Sequence, residues 1–487
     1  MSIRAMTAVI PSRIEIAEKT SGLSLKDNAF RIFAGMWAIA SLFHMAHSGV
    51  FDSELNFALL SIAALYVIIR PSLFGFVVLI LLQLLDAFYR MPFTTNHWIF
   101  TAFVNLTILH ALLYCIVKNR SFQVREKQLY DTFVPLARIE LMILYFFATF
   151  HKLNSGFFVP ATSCATELLK EQHIDFIIAS EPNILVINAY FTLVIEAIIP
   201  VLLCFRKTRN IGIVIGVLFH LVLSYSTYNA FYDFTSMMFA LYFLFTSQEF
   251  SARVIAWKTR CKEKALSFFR NTRFSVSRVF MTCFCVVITL ALLYAVNQNL
   301  KSANLFHLYF FWTIYGLLLS YIIIRFLFKP EKKAESRHYF AIASGFLVII
   351  PLVTFLNGFS PYLGLKTANS YSMFSNLRTE GGVSNHFLIP ASFQLFDYQR
   401  DVVEIVSSTD AALQELASKQ KLMVLFEFKN YLRRNKPAEV VYLFNGNRYT
   451  FEAGQRMTGH LEPNNLLLDK LMHFRTFSKS EPQPCSH

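Results

Sequence analysis

The chain has 487 residues, of which 55% are hydrophobic and only 16% charged, and 52 are phenylalanine. A soluble protein carries about 25% charged residues, so this composition excludes a soluble multidomain protein, a disordered chain, a collagen-like repeat and a small disulfide scaffold. The net charge of +14 raises nucleic acid as a partner, but the placement of the basic residues points to membrane topology instead.

Residues 1–29 are polar, mixed in charge and without a cleavable signal pattern. They read as a cytoplasmic N-terminal segment, and the first apolar helix then serves as the insertion signal. A spanning helix needs about 20 mostly apolar residues. The hydropathy pattern predicts spans near 31–48, 55–70, 72–90, 96–117, 134–153, 184–205, 210–226, 231–247, 278–296, 304–327 and 338–356. With the N-terminus cytoplasmic, the inside segments hold 26 Lys and Arg, against four in the outside loops among the spans (Arg90, Lys152, Lys170 and Lys301). That asymmetry is the one the positive-inside rule requires. A first transmembrane bundle over 30–250 is followed by a basic stretch at 251–277, further spans over 278–356, and an exterior region from 357 to 487.

The basic stretch carries Trp257 and Phe268–Phe269 among its cations and reads as an amphipathic helix on the cytoplasmic leaflet. It lacks the surroundings of a nucleic-acid fold, and no nucleic-acid partner is expected. From Asn357 onward 14 Lys and Arg balance 12 Asp and Glu, as in a soluble domain. Apolar or alternating runs at 386–390, 402–406, 440–444 and 448–451 flank a helical stretch from Asp410 to Arg434. The expected fold is an all-α polytopic membrane bundle of about 9–11 transmembrane helices with a small C-terminal exterior α+β domain. The seven cysteines fall in apolar or basic surroundings and form no disulfide framework or CxxC knuckle. The sequons at Asn105 and Asn119 fall in a span and a cytoplasmic loop, and the exterior domain has none. A bacterial inner membrane therefore suits the chain better than an endoplasmic reticulum.

Ionisable residues inside apolar spans are the informative ones, since each costs about 2.5–3.5 kcal/mol at mid-bilayer and tends to face a cavity or the bundle interior. Asp86, His97, His151, Lys152 and His220 fall at the outer ends of their spans, where they can converge on one outward-facing cavity. Glu196 lies nearer mid-span and needs a partner. The bland readings are a snorkelling anchor for Lys152 and interhelical hydrogen bonds for His44, His47 and His110. The His44-x-x-His47 pair has a spacing a metal can use, but a single such box does not make a di-metal centre, and no metal is expected. GxGxxG, GxxxxGK, HExxH and GxSxG are absent.

Four motifs occur in series: TTNHWIF around Asn96-His97, YFFATFHKLNSGFF from Tyr145 to Phe158, SEPN followed by the span with Glu196, and VLFHLVLS around Phe219-His220. In order and spacing this series resembles the transmembrane domain of vitamin K-dependent gamma-glutamyl carboxylase and the bacterial proteins grouped with it as the HTTM family. The resemblance covers residues 30–250. It implies that Lys152 is the catalytic base, with Asn96, His97 and His220 beside it, and that His151 stands where the family has a first lysine. Phe219, Tyr145, Asp86 and His151 would then contact the cofactor. The implied cofactor is a reduced lipophilic quinone, with oxygen and carbon dioxide as co-substrates. Deprotonated by a neutral amine and oxygenated, it becomes a base able to remove a C–H proton from an exterior peptide or small molecule. Burial favours the neutral amine, His97 can polarise a quinone oxygen, and the bilayer supplies the quinone.

The chain departs from the carboxylase in lacking room for a large propeptide-gripping region. The segment from Asn357 to Gly382 reads either as a connector or as a lid over the outer cavity, with Lys366, Arg378 or His386 reaching in. A transporter, lipid-binding protein or scaffold with the same polar cavity is the alternative function. The outward bias of the polar cluster favours the enzyme over a transporter, whose polar residues would flank the midplane.

Overall fold

The computed structural model describes residues 28–48, 55–172, 181, 183–225, 231–271, 306–330 and 339–485. The span expected at 278–296 and most of the N-terminal segment lie outside these. The membrane bundle comprises α1 (Asn28–Ser48), α2 (Leu55–Ile69), α3 (Leu73–Arg90), α4 (Asn96–Asn119), α5 (Glu126–Phe150), the short α6 (Cys164–Lys170), α7 (Ile184–Cys204), α8 (Arg209–Leu223) and α9 (Tyr232–Phe243). It continues with α10 (Gln248–Asn271), α11 (Phe306–Phe326) and α12 (Ile349–Leu363). Among the described residues seven helical segments are long and apolar enough to cross a membrane, and α2 and α8 are shorter apolar helices.

Three boundaries differ from the hydropathy reading. Helix α5 begins at Glu126 rather than 134, because a polar first turn is held by the Arg31–Glu126 ion pair (2.9 Å). The segment expected to span at 231–247 is only the 12-residue helix α9, of which all but Phe234 is buried. At 1.5 Å per residue α9 covers about 18 Å, so it is a half-span packed inside the protein. Helix α12 runs on to Leu363, past the expected end at 356, and stops at Gly364 with φ of 80°. A Cβ at Gly364 would lie 1.9 Å from the Phe396 carbonyl oxygen, so only glycine fits there. Asn357 and Ser360, which read as connector, are instead buried helix residues. Asn357 donates to the Asn369 carbonyl (2.9 Å) and Ser360 to the Asn357 carbonyl (2.7 Å).

The bundle core joins aromatic packing to hydrogen bonds between helices. Phe33 packs against Trp37, Phe76 and Phe133. Trp37 Nε1 donates to Gln83 Oε1 (3.2 Å) and Asn105 Oδ1 (3.0 Å), and Gln83 Nε2 donates to Ser41. These bonds tie α1, α3 and α4 where the apolar effect gives helices no preference for one another over lipid. Arg138, within α5, donates through Nε to the Leu244 carbonyl (2.9 Å) and through Nη1 to the Tyr339 carbonyl (2.7 Å).

The C-terminal domain is α+β, as expected. Strands β1 (Val402–Ser408), β2 (Lys421–Val424), β3 (Glu439–Phe444), β4 (Asn447–Glu452) and β5 (Phe477–Ser478) form one antiparallel sheet in the order β4-β3-β1-β2-β5. The single helix expected over 410–434 is two, α13 (Ala411–Ser418) and α14 (Leu425–Asn435), separated by β2. Gln420, in a left-handed conformation with φ of 50°, breaks the helix and turns the chain into the strand. The last short helix is α15 (Leu466–Leu471). Residues 386–390 form no strand, only an isolated bridge between His386 and Asn154.

The domain sits over the α3–α4 and α5 ends of the bundle. Lys470 Nζ donates to the Tyr89 and Met91 carbonyls (3.2 and 3.0 Å), Arg434 covers the Phe93 ring at 4.4 Å, and the Phe387 amide donates to the Leu153 carbonyl (2.9 Å). Cys164 and Cys485 form a disulfide across 321 residues, against the expectation that no cysteines pair. Their separation hides the pairing from any local spacing rule. Of the described free cysteines, Cys115 and Cys204 lie in the last turns of α4 and α7, and Cys261 lies midway along α10.

Two outcomes follow from these ties. Cys485→Ser should lower the stability of the detergent-solubilised protein by about 2–4 kcal/mol, read as a lower unfolding midpoint, and in wild type both Cys164 and Cys485 should resist maleimide until reduced. The second concerns Glu427 of α14. Burial raises its carboxyl, but the His473 hydrogen bond and charge, together with Arg434 and the Phe474 amide, outweigh this and hold it below the ordinary value of 4.5. A depressed carboxyl stabilises the fold fully above the ordinary carboxylate range and loses that contribution as pH falls through its folded value. Glu427→Gln should therefore be less stable than wild type at neutral pH, with the gap closing in acid.

Candidate functional site

The helix ends beneath the C-terminal domain surround two cavities. The first, of about 560 Å³, is mostly apolar and is lined by residues of α4 to α9 and by Tyr371, Met373 and Phe374. Phe191, Leu218 and Val222 line it and are also 54%, 48% and 64% exposed. Its mouth therefore lies on the outer apolar face between α7 and α8. The second cavity, of about 790 Å³, is the more polar of the two and lies between the bundle and the domain, with Lys421, Glu427, Arg434, His473 and Arg475 in its walls. Asn96, His97, Phe231, Phe234, Met373 and Phe374 line both. The chambers meet at the first turn of α4.

Six of the eight residues singled out in the sequence come together on the apolar chamber: Asn96, His97, Tyr145, Lys152, Phe219 and His220. Lys152 lies just past the end of α5 and is 5% exposed. Its Nζ donates to Glu196 Oε2 (2.6 Å) and to the Ala148 carbonyl (3.0 Å). Glu196 thus finds the partner its mid-span position demanded, and Lys152 is not a snorkelling anchor. The Tyr145 hydroxyl is 3.0 Å from His220 Nε2 and also bonds the Tyr242 hydroxyl. This chain fixes the His220 ring between α5, α8 and α9.

The other two residues do not join the chamber. Asp86 accepts from Asn56 Nδ2 (2.6 Å), Arg90 Nε (3.1 Å) and Trp98 Nε1 (2.9 Å), so its carboxylate is used in fastening α3 to α2 and α4. His151 turns away from Lys152. Its Nδ1 is 2.9 Å from the Tyr362 hydroxyl and its Nε2 3.1 Å from the Ser370 carbonyl, and Phe147 stacks on its ring. Successive residues past the helix end point to different sides, so sequence adjacency to Lys152 did not bring His151 to the cavity.

The segment after α12 does cover the cavity, but not with the expected cations. Arg378 pairs with Glu481 (2.8 Å), His386 Nε2 bonds the Phe150 carbonyl (2.9 Å), and neither these nor Lys366 line either chamber. The covering residues are Tyr371, Met373 and Phe374. Asn369, Tyr371, Phe374 and Asn376 all have φ between 56° and 63°, a left-handed conformation uncommon for asparagine and costly for aromatics. Several side chains hold the strap in place. Asn96 Oδ1 accepts from the Tyr371 amide (2.8 Å), Asn369 Nδ2 donates to the Pro92 carbonyl (2.6 Å), and Asn376 donates to Thr162 and Gln483. Asn96 is thereby a support for the strap.

Asp233 is not among the residues that the sequence singles out. Its Oδ2 lies 2.7 Å from His97 Nε2 and 2.9 Å from His44 Nδ1, and the His44 ring stacks on Trp98 at 3.6 Å. The signal available in the sequence was an acid at the start of a hydrophobic helix; nothing in the spacing joins it to His44.

Glycine at 216 lets α8 and α9 approach. A Cβ there would lie 2.5–2.8 Å from the Tyr242 ring and hydroxyl. Gly216→Ala should displace Tyr242, release Tyr145 from His220 and destabilise the bundle by about 1–3 kcal/mol, measured as a lower thermal midpoint. The paired substitution Tyr242→Phe should restore little of it, because the ring itself collides.

The model of the HTTM domain matches residues 95–250, a stretch that runs from the first turn of α4 to the first turn of α10 and contains Lys152, Glu196, His220 and Asp233. No curated protein and no solved structure matches the chain. The chain thus carries, over about a third of its length, a segment that matches the HTTM domain, set within a bundle of helices long and apolar enough to cross a membrane.

Proposed function

We propose that this protein is a quinol-dependent enzyme whose chemistry is related to that of vitamin K-dependent gamma-carboxylase. The observation that carries the reading is the Lys152–Glu196 pair in an apolar chamber with a mouth on the outer face of the bundle. A lipophilic quinol in the bilayer reaches such a chamber between α7 and α8 without crossing water. A polar substrate reaches the same place from the other cavity, and the two meet at Asn96 and His97.

An ammonium that donates to a carboxylate is not a base. With 2.6 Å between Lys152 Nζ and Glu196 Oε2, however, one proton shift converts the charged pair into an amine and a carboxylic acid. That exchange leaves the net charge of the chamber unchanged, which is what a low-dielectric site tolerates. The amine of Lys152 then accepts the proton of a quinol hydroxyl, and Glu196 retains the first. The bound quinol, once deprotonated and oxygenated, would supply the strong base, with carbon dioxide as the electrophile for the carbanion. His97 and His220 also line the chamber and are suited to hydrogen-bond a quinone oxygen. The aromatic and aliphatic walls exclude water from a reactive base.

The basic residues of α10 and of the α7–α8 turn lie at the end of the bundle opposite the C-terminal domain. The disulfide lies on the domain side, and disulfides persist in oxidising compartments. Both support a cytoplasmic N-terminus and an exterior domain, most simply in a bacterial inner membrane.

Purified protein given reduced naphthoquinones of several chain lengths, oxygen and bicarbonate should oxidise quinol and form epoxide. Lys152→Ala and His97→Ala should each reduce turnover by about 100-fold or more in protein that still folds, with unfolding midpoints lowered because Glu196 or Asp233 loses a buried partner. Glu196→Gln should lose activity and be partly rescued by raised pH, since the amide cannot accept the lysine proton but solvent hydroxide can. Wild type inert toward every quinol would overturn the enzyme and leave the chamber as a lipid-binding or transport passage.

A further inference from the structure

Asp233 carries a buried carboxylate that the chamber chemistry does not use. It is 4% exposed and lies at the start of α9 with His44 of α1 and His97 of α4 as its side-chain partners. No lysine or arginine pairs with it among the described residues. A buried carboxylate held only by imidazoles needs positive charge from elsewhere, either a proton shared with a histidine or a metal ion.

We propose that His44 Nδ1, His97 Nε2 and Asp233 Oδ2 bind a single divalent first-row transition-metal ion. The three atoms lie within 4.8 Å of one another, one from each of three packed helices. Two imidazoles and one carboxylate on a shared face form a donor set of the kind that takes zinc, iron or manganese and leaves coordination positions open, while the nitrogens disfavour calcium and magnesium. The surroundings are those of a prepared site. The Trp98 ring stacks on that of His44, 9° from parallel, and is itself anchored through Nε1 to Asp86 Oδ2. That carboxylate is in turn fixed by Arg90 and Asn56. Asp86 therefore acts at one remove, holding the indole that orients His44. His97 and Asp233 line the polar cavity, which gives an ion a route in and turns the open positions toward a polar substrate.

The site draws its ligands from α1, α4 and α9, so it differs from any pairing of His44 with His47, and it departs from the expectation of no metal. It also reaches beyond residues 95–250, because His44 lies outside the matched domain. The proposal does not depend on quinol chemistry. It concerns what the protein binds.

The test uses tag-free, full-length protein, stripped with a chelator in detergent and titrated with Co²⁺, then Zn²⁺ in competition. Wild type should take up one cobalt per chain with visible ligand-field absorption, and zinc should displace it. Asp233→Asn and His44→Gln should each weaken binding by about a hundredfold or more, larger than the effect of losing an outer-sphere partner. His110→Gln, a histidine packed against Phe346 away from the cluster, should bind as wild type does. Unfolding midpoints and closure of the Cys164–Cys485 disulfide distinguish a lost ligand from a lost fold. Stripped wild type that takes up no cobalt, or Asp233→Asn that binds as tightly as wild type, overturns the proposal and leaves a hydrogen-bonded His–Asp–His relay. Either result stands whether or not the protein turns over quinols.

Discussion

Inside a membrane bundle a buried polar group has no water to bond, so it must find its partner in the protein. Much of the architecture around the chambers follows from that constraint. Lys152 and Glu196 neutralise each other, Asp233 gathers two histidines, and Asp86 collects three donors. The Asp233 set joins α1, α4 and α9, the Lys152–Glu196 pair joins the end of α5 to α7, and Asp86 fastens the consecutive helices α2, α3 and α4. The polar groups therefore do two tasks: they select which helices lie beside one another, and they leave reactive side chains at fixed points on a cavity wall. Removing one partner would leave the other buried and unpaired, which costs more than the bond itself contributes.

The strap after α12 obeys the same constraint with backbone groups. A chain crossing the mouth of an apolar cavity exposes amides that the cavity cannot satisfy. Asn96 Oδ1 accepts the Tyr371 amide, Asn369 and Asn376 tie the strap down by donating to the Pro92, Thr162 and Gln483 carbonyls, and the serines at 370, 372 and 375 bond within the turn. With so many fixed points, two aromatic residues can be held left-handed, and their rings close the space between the chambers. Such strain, about 1–3 kcal/mol per residue, persists only where the surroundings over-determine it. The same strap thus separates a lipid-side compartment from a polar one while allowing both to touch His97.

Composition and hydropathy revealed the bundle and the α+β domain because those rest on local pattern. Ionisable residues at span ends revealed most of the apolar chamber, because an expensive group in an apolar helix needs a polar reason to be there. The failures were of another kind. His151 neighbours Lys152 in the chain but points elsewhere, and Asp86 has the right depth but the wrong face. Depth along a helix is legible in a sequence; rotation about its axis is set by packing. The Cys164–Cys485 bond, the Asp233 cluster and the strap depend on contacts spanning 136 to 321 residues, where no spacing rule operates. On the lid reading Lys366, Arg378 or His386 would reach into the cavity; the side chains of Tyr371, Met373 and Phe374 line it instead.

The position of His97 makes the two cavities one site. Its Nε2 is committed to Asp233, and its Nδ1 is buried without a protein partner among the described residues. What Nδ1 offers depends on what holds Nε2. If Nε2 carries a proton toward the carboxylate, Nδ1 has a lone pair and acts as an acceptor; if Nε2 binds a cation, Nδ1 carries the proton and acts as a donor. The state of the Asp233 cluster at the edge of the polar chamber is therefore read out as the hydrogen-bonding sense of a group that also lines the apolar one. A ligand that needs a donor for its oxygen and a ligand that needs a base would each find a different His97, and the same three helices provide both.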